Sequence, residues 1–254
     1  MKIILRSFKI DYTTYILIFL ALIAGYIKNV FVLLLIVLIH EFGHVFFFLL
    51  FGIEIEKIII YPFGGVTYIN KRIHERIYKD VLISLGGIIF QLILFLFYYL
   101  LFSFNLIVYS TYKMFFLYNL NIIVFNLLPL IPLDGSKLLL ALFSKFFSYR
   151  RSYMLMIVCS VISLFLFILF NIFCKVNDLI IYIFLIIKLF EVVKNFNYVM
   201  NKFFLERILY NHYYNQIIND CCCINKMRID KYYFFKDNNR YVNEKEFIKR
   251  IYYN

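Results

Sequence analysis

Six apolar stretches, near 12–27, 30–51, 81–104, 114–128, 153–173 and 179–193, are separated by charged segments. A helix crossing the hydrocarbon core of a bilayer needs about 20 such residues, and no other feature restricts the fold so strongly. The 254 residues are 64% hydrophobic and 17% charged, whereas a soluble domain is about 45–50% apolar and about 25% charged. Those figures exclude a disordered chain, a disulfide-knotted secreted domain and an ordinary soluble enzyme. The first and sixth stretches hold 16 and 15 residues, so tilt, snorkelling or burial must make up their length. Lys2, Arg6 and Lys9 precede the first stretch in the manner of a signal peptide. No small-residue cleavage site with a polar mature start follows, so a retained span is expected.

The formal charge of +12 follows the membrane rather than a polyanion. Lys and Arg number three before the first span, five in 52–80, four in 129–152 and twelve from Lys188 onward. The intervening segments hold one each, Lys28, Lys113 and Lys175. Alternate segments therefore carry 24 against 3, the positive-inside pattern with both termini cytoplasmic. Direct nucleic-acid binding is not expected.

Residues 53–69 (IEIEKIIIYPFGGVTYI) alternate apolar and charged and then break at Pro62, Gly64 and Gly65, the pattern of a short β-hairpin. From about Phe196 the chain is polar and rich in Asn and Tyr. The five cysteines, Cys159, Cys174, Cys221, Cys222 and Cys223, show no CxxC spacing. They read as apolar fillers and reduced thiols rather than a disulfide or zinc framework.

Glu41 lies deep in the second stretch, where an ionisable group is a functional hypothesis by default. It sits in H-E-F-G-H, residues 40–44. Residues four apart project from one face of a helix, so His40 and His44 can bind one zinc ion with Glu41 beside it. Zinc lowers the pKa of a coordinated water to about 7, and Glu41 is the base that takes its proton. Two hydrogen-bonded structural histidines would leave three polar side chains in hydrocarbon without a purpose.

A catalytic zinc uses three protein ligands and an open position. His74 lies in a charged loop and His212 in the tail, and both read as solvated. Asp134, in N-L-L-P-L-I-P-L-D-G-S-K, follows a helix that Pro129 and Pro132 must end, and precedes Gly135. It reads as the third ligand, the alternative being a turn carboxylate that caps the next helix.

HEFGH, followed some ninety residues later by N-x-x-P-x-x-x-L-D-G, resembles the site-2 family of intramembrane zinc metalloproteases. LLLIVLIHEFGH, YPFGG, YNLNIIVFNLLPLIPLDGSKLL and FLER carry the likeness across roughly residues 12–210, towards members that process a sporulation sigma-factor precursor, pro-sigma-K. The resemblance implies that His40, His44 and Asp134 bind one Zn²⁺ and that Glu41 is the general base. It places Asn126, Pro129 and Gly135 beside the site, and Phe63, Gly64 and Gly65 at the border of substrate access. It also implies inhibitory or regulatory membrane proteins as partners, with the lipid bilayer, and it allows an oligomer. Many relatives have Gly-Pro where this chain has Gly86-Gly87. The family's cytoplasmic regulatory domain resembles a cystathionine-synthase-type (CBS) pair, for which this tail is too short; RIDKYYFFKDNNRYVNEKEFIKRI reads as one strand, turn and helix of such a half.

The expected fold is therefore mainly α and polytopic: six transmembrane helices, a short membrane-associated β-hairpin and a small cytoplasmic α/β tail. Residues 1–195 form the six-span metalloprotease domain and 196–254 the tail. The expected function is a zinc intramembrane endopeptidase acting on a sigma-factor precursor at the membrane around the developing forespore. A polytopic metal transporter or a catalytically silent scaffold is the alternative. Repeated halves with similar broken helices, expected of a transporter, are not seen in the sequence.

Overall fold

The computed structural model describes residues 8–253 except 62–63, 70–72, 75, 171–175, 211–213, 215, 222 and 238–239. It is mainly helical, with two three-stranded sheets. All six apolar stretches are helices where described: α1 Tyr12–Ile23, α2 Ile27–Leu50, α3 Ile77–Ser103, α4 Tyr109–Leu127, α6 Tyr149–Phe170 and α7 Val176–Lys194. Among the described residues, Ile27–Leu50, Ile77–Ser103 and Tyr149–Leu169 are long and apolar enough to cross a membrane. At 1.5 Å per residue the 24 residues of α2 reach about 36 Å, enough for a hydrocarbon core of about 30 Å. The outward residues of these helices include Phe31, Phe42, Phe97 and Phe165, all exposed. Rings so placed suit lipid, and the chain is a membrane protein.

The described chain packs as two compact units. The first takes residues up to 71 together with Leu82–Asn126. Its core joins Val32 and Ile36 of α2 to Leu94 of α3 and Phe115 of α4. Its sheet has the order β1 (Phe8–Ile10), β2 (Ile55–Tyr61), β3 (Gly64–Ile69). The expected hairpin is present, with Ile59 opposite Val66 and Ile60 opposite Gly65. The expectation lacked β1, which pairs in parallel with β2, Lys9 opposite Ile59. Thus β2 is the central strand and β3 lies at an edge. Gly43 of α2 abuts the main chain of Gly86 in α3, where an added Cβ would collide. Small residues let two apolar helices approach this closely.

The second unit takes 72–81 and Leu127–Asn254. It contains α5 (Asp134–Phe146), α6, α7, α8 (Phe196–Leu209), a sheet β4 (Gln216–Cys221), β5 (Lys231–Asp237), β6 (Arg240–Asn243), and α9 (Glu244–Tyr253). The tail has the expected strand and helix, with a second strand β6 antiparallel to β5 and β4 parallel to it; the turn expected between them falls on residues 238–239, outside the described residues. Alternate residues Tyr233 and Phe235 of β5 point inward, joining Met227 and Ile248 to Phe203 and Phe204 of α8 and Tyr149 and Met156 of α6. The tail thus shares one core with two helices of its unit.

Candidate metal centre

His40, Glu41 and His44 lie on one continuous helix, as their spacing predicts. Both imidazoles are buried, and their Nε2 atoms face each other at 3.1 Å. Two nitrogens bound at 2.0–2.1 Å to one tetrahedral ion stand about 3.3 Å apart. Each ring's other nitrogen already has a partner. His44 Nδ1 is 2.7 Å from the main-chain oxygen of Ile83, which can only accept, so Nδ1 carries the proton and Nε2 presents its lone pair. His40 Nδ1 is 2.9 Å from Gln91 Oε1. The ring of His40 also rests on Gly87, where a Cβ would collide with it. Gly86-Gly87 therefore allows the close approach of α2 to α3.

Glu41 is half-buried. Its Oε1 accepts a hydrogen bond from the Gly65 N–H of β3 at 2.8 Å. The hairpin therefore borders Glu41 directly at Gly65. Gly64 pairs with Tyr61, while Phe63 and Pro62 lie outside the described residues.

In the second unit, Pro129 and Pro132 end the preceding helix as predicted, the Ile131–Pro132 bond is cis, and Asp134 is the first residue of α5. The N-cap position belongs to Leu133, so Asp134 is not the capping residue of the alternative reading. Its side chain is 7% exposed, and Oδ1 accepts a hydrogen bond from Lys137 Nζ at 2.9 Å. Gly135 is buried in the same turn. Asn126 donates to the Ile122 carbonyl of its own helix at 3.1 Å.

Within the first unit His40 and His44 are buried with converging Nε2 atoms, and within the second Asp134 is a buried carboxylate. Two nitrogens and a carboxylate suit zinc. The donor chemistry and the paired Nε2 atoms fit that ion.

A family model described as peptidase family M50 matches residues 28–108 and 103–170. The chain belongs to that family. It is 32% identical over 191 residues to Stage IV sporulation protein FB of Bacillus subtilis (strain 168), covering 74% of this chain and 66% of the relative. It is 32% identical over 119 residues to a zinc metalloprotease of Methanocaldococcus jannaschii, covering 46% of this chain and 34% of that one. The chain thus spans just under two thirds of the first relative and about a third of the second. A solved structure, the site-2 protease from Methanocaldococcus jannaschii, superposes with a TM-score of 0.54 at 23% identity over 72% of this chain and 88% of that one. That likeness shows a shared fold. Membership of a metallopeptidase family makes zinc the cofactor and disfavours the transporter reading.

Three positions differ from the sequence reading or fall outside it. His74, expected in solvent, has a fully buried side chain. It stacks on Phe203 with 4.5 Å between ring centroids and accepts a hydrogen bond from Arg207 Nε. A charged stretch of sequence hid a loop pressed against α8. Gln91 and Asn119 went unremarked, although both are polar residues inside apolar stretches, the same signal that singled out Glu41. His212, Cys174 and Cys222 lie outside the described residues. Cys223 is exposed and Cys159 half-buried, and neither is in a disulfide.

Proposed function

We propose that the chain is a zinc endopeptidase that cuts a membrane-associated protein, with His40, His44 and Asp134 as metal ligands and Glu41 as general base. The observation that carries the reading is the pair of buried imidazoles with converging Nε2 atoms, one residue from a carboxylate. A zinc ion held by His40, His44 and Asp134 would supply Lewis acidity, which lowers the pKa of water to about 7 and polarises a carbonyl. Glu41 takes a proton from the attacking water and passes it to the leaving amine. The apolar surroundings limit the water that reaches the reacting bond.

The substrate reading is a sigma-factor precursor, pro-sigma-K, whose pro-segment is removed; its support is the similarity to a sporulation protein. Asn126, Pro129, Gly135, Phe63, Gly64 and Gly65 are proposed to line the substrate path. An extended pro-segment adding to the outer edge of β3 would lie beside Glu41, because Gly65 on that edge already touches its carboxylate. We further read 1–195 as six spans, with both termini cytoplasmic and 196–254 as a cytoplasmic tail, in the membrane around the forespore. Inhibitory membrane proteins would hold the enzyme silent there.

Co-production with a pro-sigma-factor precursor tests this. The wild-type chain should yield the shortened product and Glu41→Gln should not, with zinc retained by both. An uncut precursor with the wild-type chain, in a membrane fraction that holds stoichiometric zinc, would count against the substrate. Cleavage by Glu41→Gln would count against the base.

A further inference from the structure

A second run of buried polar groups leads away from the metal centre. Gln91 of α3 is 0% exposed and Asn119 of α4 is 1% exposed. Gln91 Oε1 faces His40 Nδ1 at 2.9 Å. Gln91 Nε2 donates to Asn119 Oδ1 at 3.2 Å, and Asn119 Nδ2 donates to the main-chain oxygen of Gln91 at 3.2 Å.

We propose that Gln91 and Asn119 are positioning residues for His40: they hold its ring as the Nδ1–H tautomer and thereby set the affinity of the site for zinc. This rests on His40 being a ligand, as proposed above. The direction of the relay follows from its far end. A main-chain carbonyl has no proton to give, so the Asn119 atom facing it must be the NH₂ group. Asn119 then turns its oxygen to Gln91, which must answer with its own NH₂. Only the Gln91 oxygen is left for His40, and an amide oxygen accepts but never donates. His40 Nδ1 therefore carries the proton, and Nε2 faces His44 with its lone pair. For His44 the Ile83 carbonyl does the same work in one step. Ligand imidazoles are oriented by such partners, and losing one weakens metal binding about 10–100-fold.

The relay also accounts for two amides in an apolar setting. A buried amide without partners costs about 1–3 kcal/mol, whereas here the amide groups answer one another along the chain. Replacing both by leucine would suit lipid-embedded helices at least as well. Their hydrogen bonding therefore points to the ring they orient rather than to packing.

The test uses the full-length protein in detergent, at one fixed pH, and reads zinc affinity by competition with a chelator. Gln91→Leu and Asn119→Leu should each weaken zinc, by about 10–100-fold and by a smaller factor respectively. The second variant leaves Gln91 free to rotate its amide and offer hydrogen atoms to His40. Gln91→Glu keeps an acceptor for Nδ1–H, and its affinity should lie within a few-fold of wild type. A packing role would instead weaken zinc equally in Gln91→Leu and Gln91→Glu, or lower the unfolding temperature of the metal-free chain while leaving affinity unchanged. Either result overturns the proposal, as does wild-type affinity in Gln91→Leu. If that variant does not fold, Asn119→Leu against Gln91→Glu decides by the same comparison. His40→Ala separates the two layers: zinc kept at full affinity refutes the ligand assignment, whereas zinc lost there but unchanged in Gln91→Leu refutes the relay alone.

Discussion

Glu41 not only accepts from the Gly65 N–H but lies where a side chain at position 65 would stand. A Cβ there would sit 2.7 Å from Glu41 Cδ, so Gly65→Ala must push the carboxylate or the strand aside. We expect Gly65→Ala to lower cleavage at least tenfold while the zinc content of the purified protein, read by metal analysis, stays at wild type. Glu41→Gln should also keep zinc, since it removes a base and no ligand, and should lower cleavage by about 10²–10⁴-fold. Gly87→Ala should behave in the opposite sense, because its Cβ would strike the His40 ring: zinc itself should be lost. His40, Glu41 and His44 were legible because their relation is local, fixed by one helix turn. Gln91 and His74 were not, because their partners stand 51 and 132 or more residues away in sequence, and only the packing of separate elements brings them in.

Between elements, the hairpin was legible from its alternation and its Pro and Gly break, but its place in the sheet was not. A parallel partner about fifty residues upstream leaves no local signature, and β1 has only three residues. The consequence is practical. Proline at Ile59 would strike the central strand and both of its neighbours, whereas Thr67 lies on the edge strand. The Gly65 N–H points away from β2 towards Glu41, and alternation puts the Thr67 N–H on the same outer side. Thr67→Pro should therefore spare the β2–β3 ladder, keep zinc, and cut precursor processing severely if substrate pairs with this edge; normal processing by that variant refutes strand addition. At α8, FLER is explained by a buried ionic knot. Arg207 donates to His74, to Glu244 at 2.7 Å and to main-chain oxygens of Arg228 and Lys231, and Glu206 accepts from the Ile73 N–H at 2.7 Å. Burial raises the Glu206 carboxyl, but the hydrogen bonds from His74 and Ile73, with the charge of Lys202, outweigh it and hold the group below its ordinary 4.5. A depressed acid stabilises the fold above its unfolded value and loses that contribution as pH falls through the folded value. The difference in unfolding temperature between wild type and Glu206→Gln should thus be largest near neutral pH and shrink below about 4.5.

Across the whole molecule, the proposed orientation rests on charge, and one pair of contacts bears on the alternation of the spans rather than on which side is cytoplasmic. Lys28 at the start of α2 donates to Thr111 at the start of α4 at 2.9 Å, and Asn29 donates to Tyr118. Both helices therefore begin on the same side of the membrane, the side assigned to the segments with one basic residue each. An even number of crossings must separate those two starts, and α2 and α3 supply them. The proposed topology puts the tail, which carries most of the twelve Lys and Arg from Lys188 onward, on the opposite side, where an anionic leaflet would attract it. Truncating the tail is a poor probe of orientation or docking, because Phe235 and Ile248 are fully buried in a core shared with α6 and α8; loss of one such ring costs about 3–5 kcal/mol. The exposed thiol of Cys223 offers a probe that leaves this core intact. With Cys174, Cys221 and Cys222 replaced by serine, a membrane-impermeant maleimide should label Cys223 in inside-out vesicles and spare it in intact cells. Cysteine at Lys113, in the same background with Cys223 also replaced, should show the reverse. Labelling of both positions from one face would remove the odd number of crossings between them and with it the six-span topology, while leaving the metal site within α2 untouched.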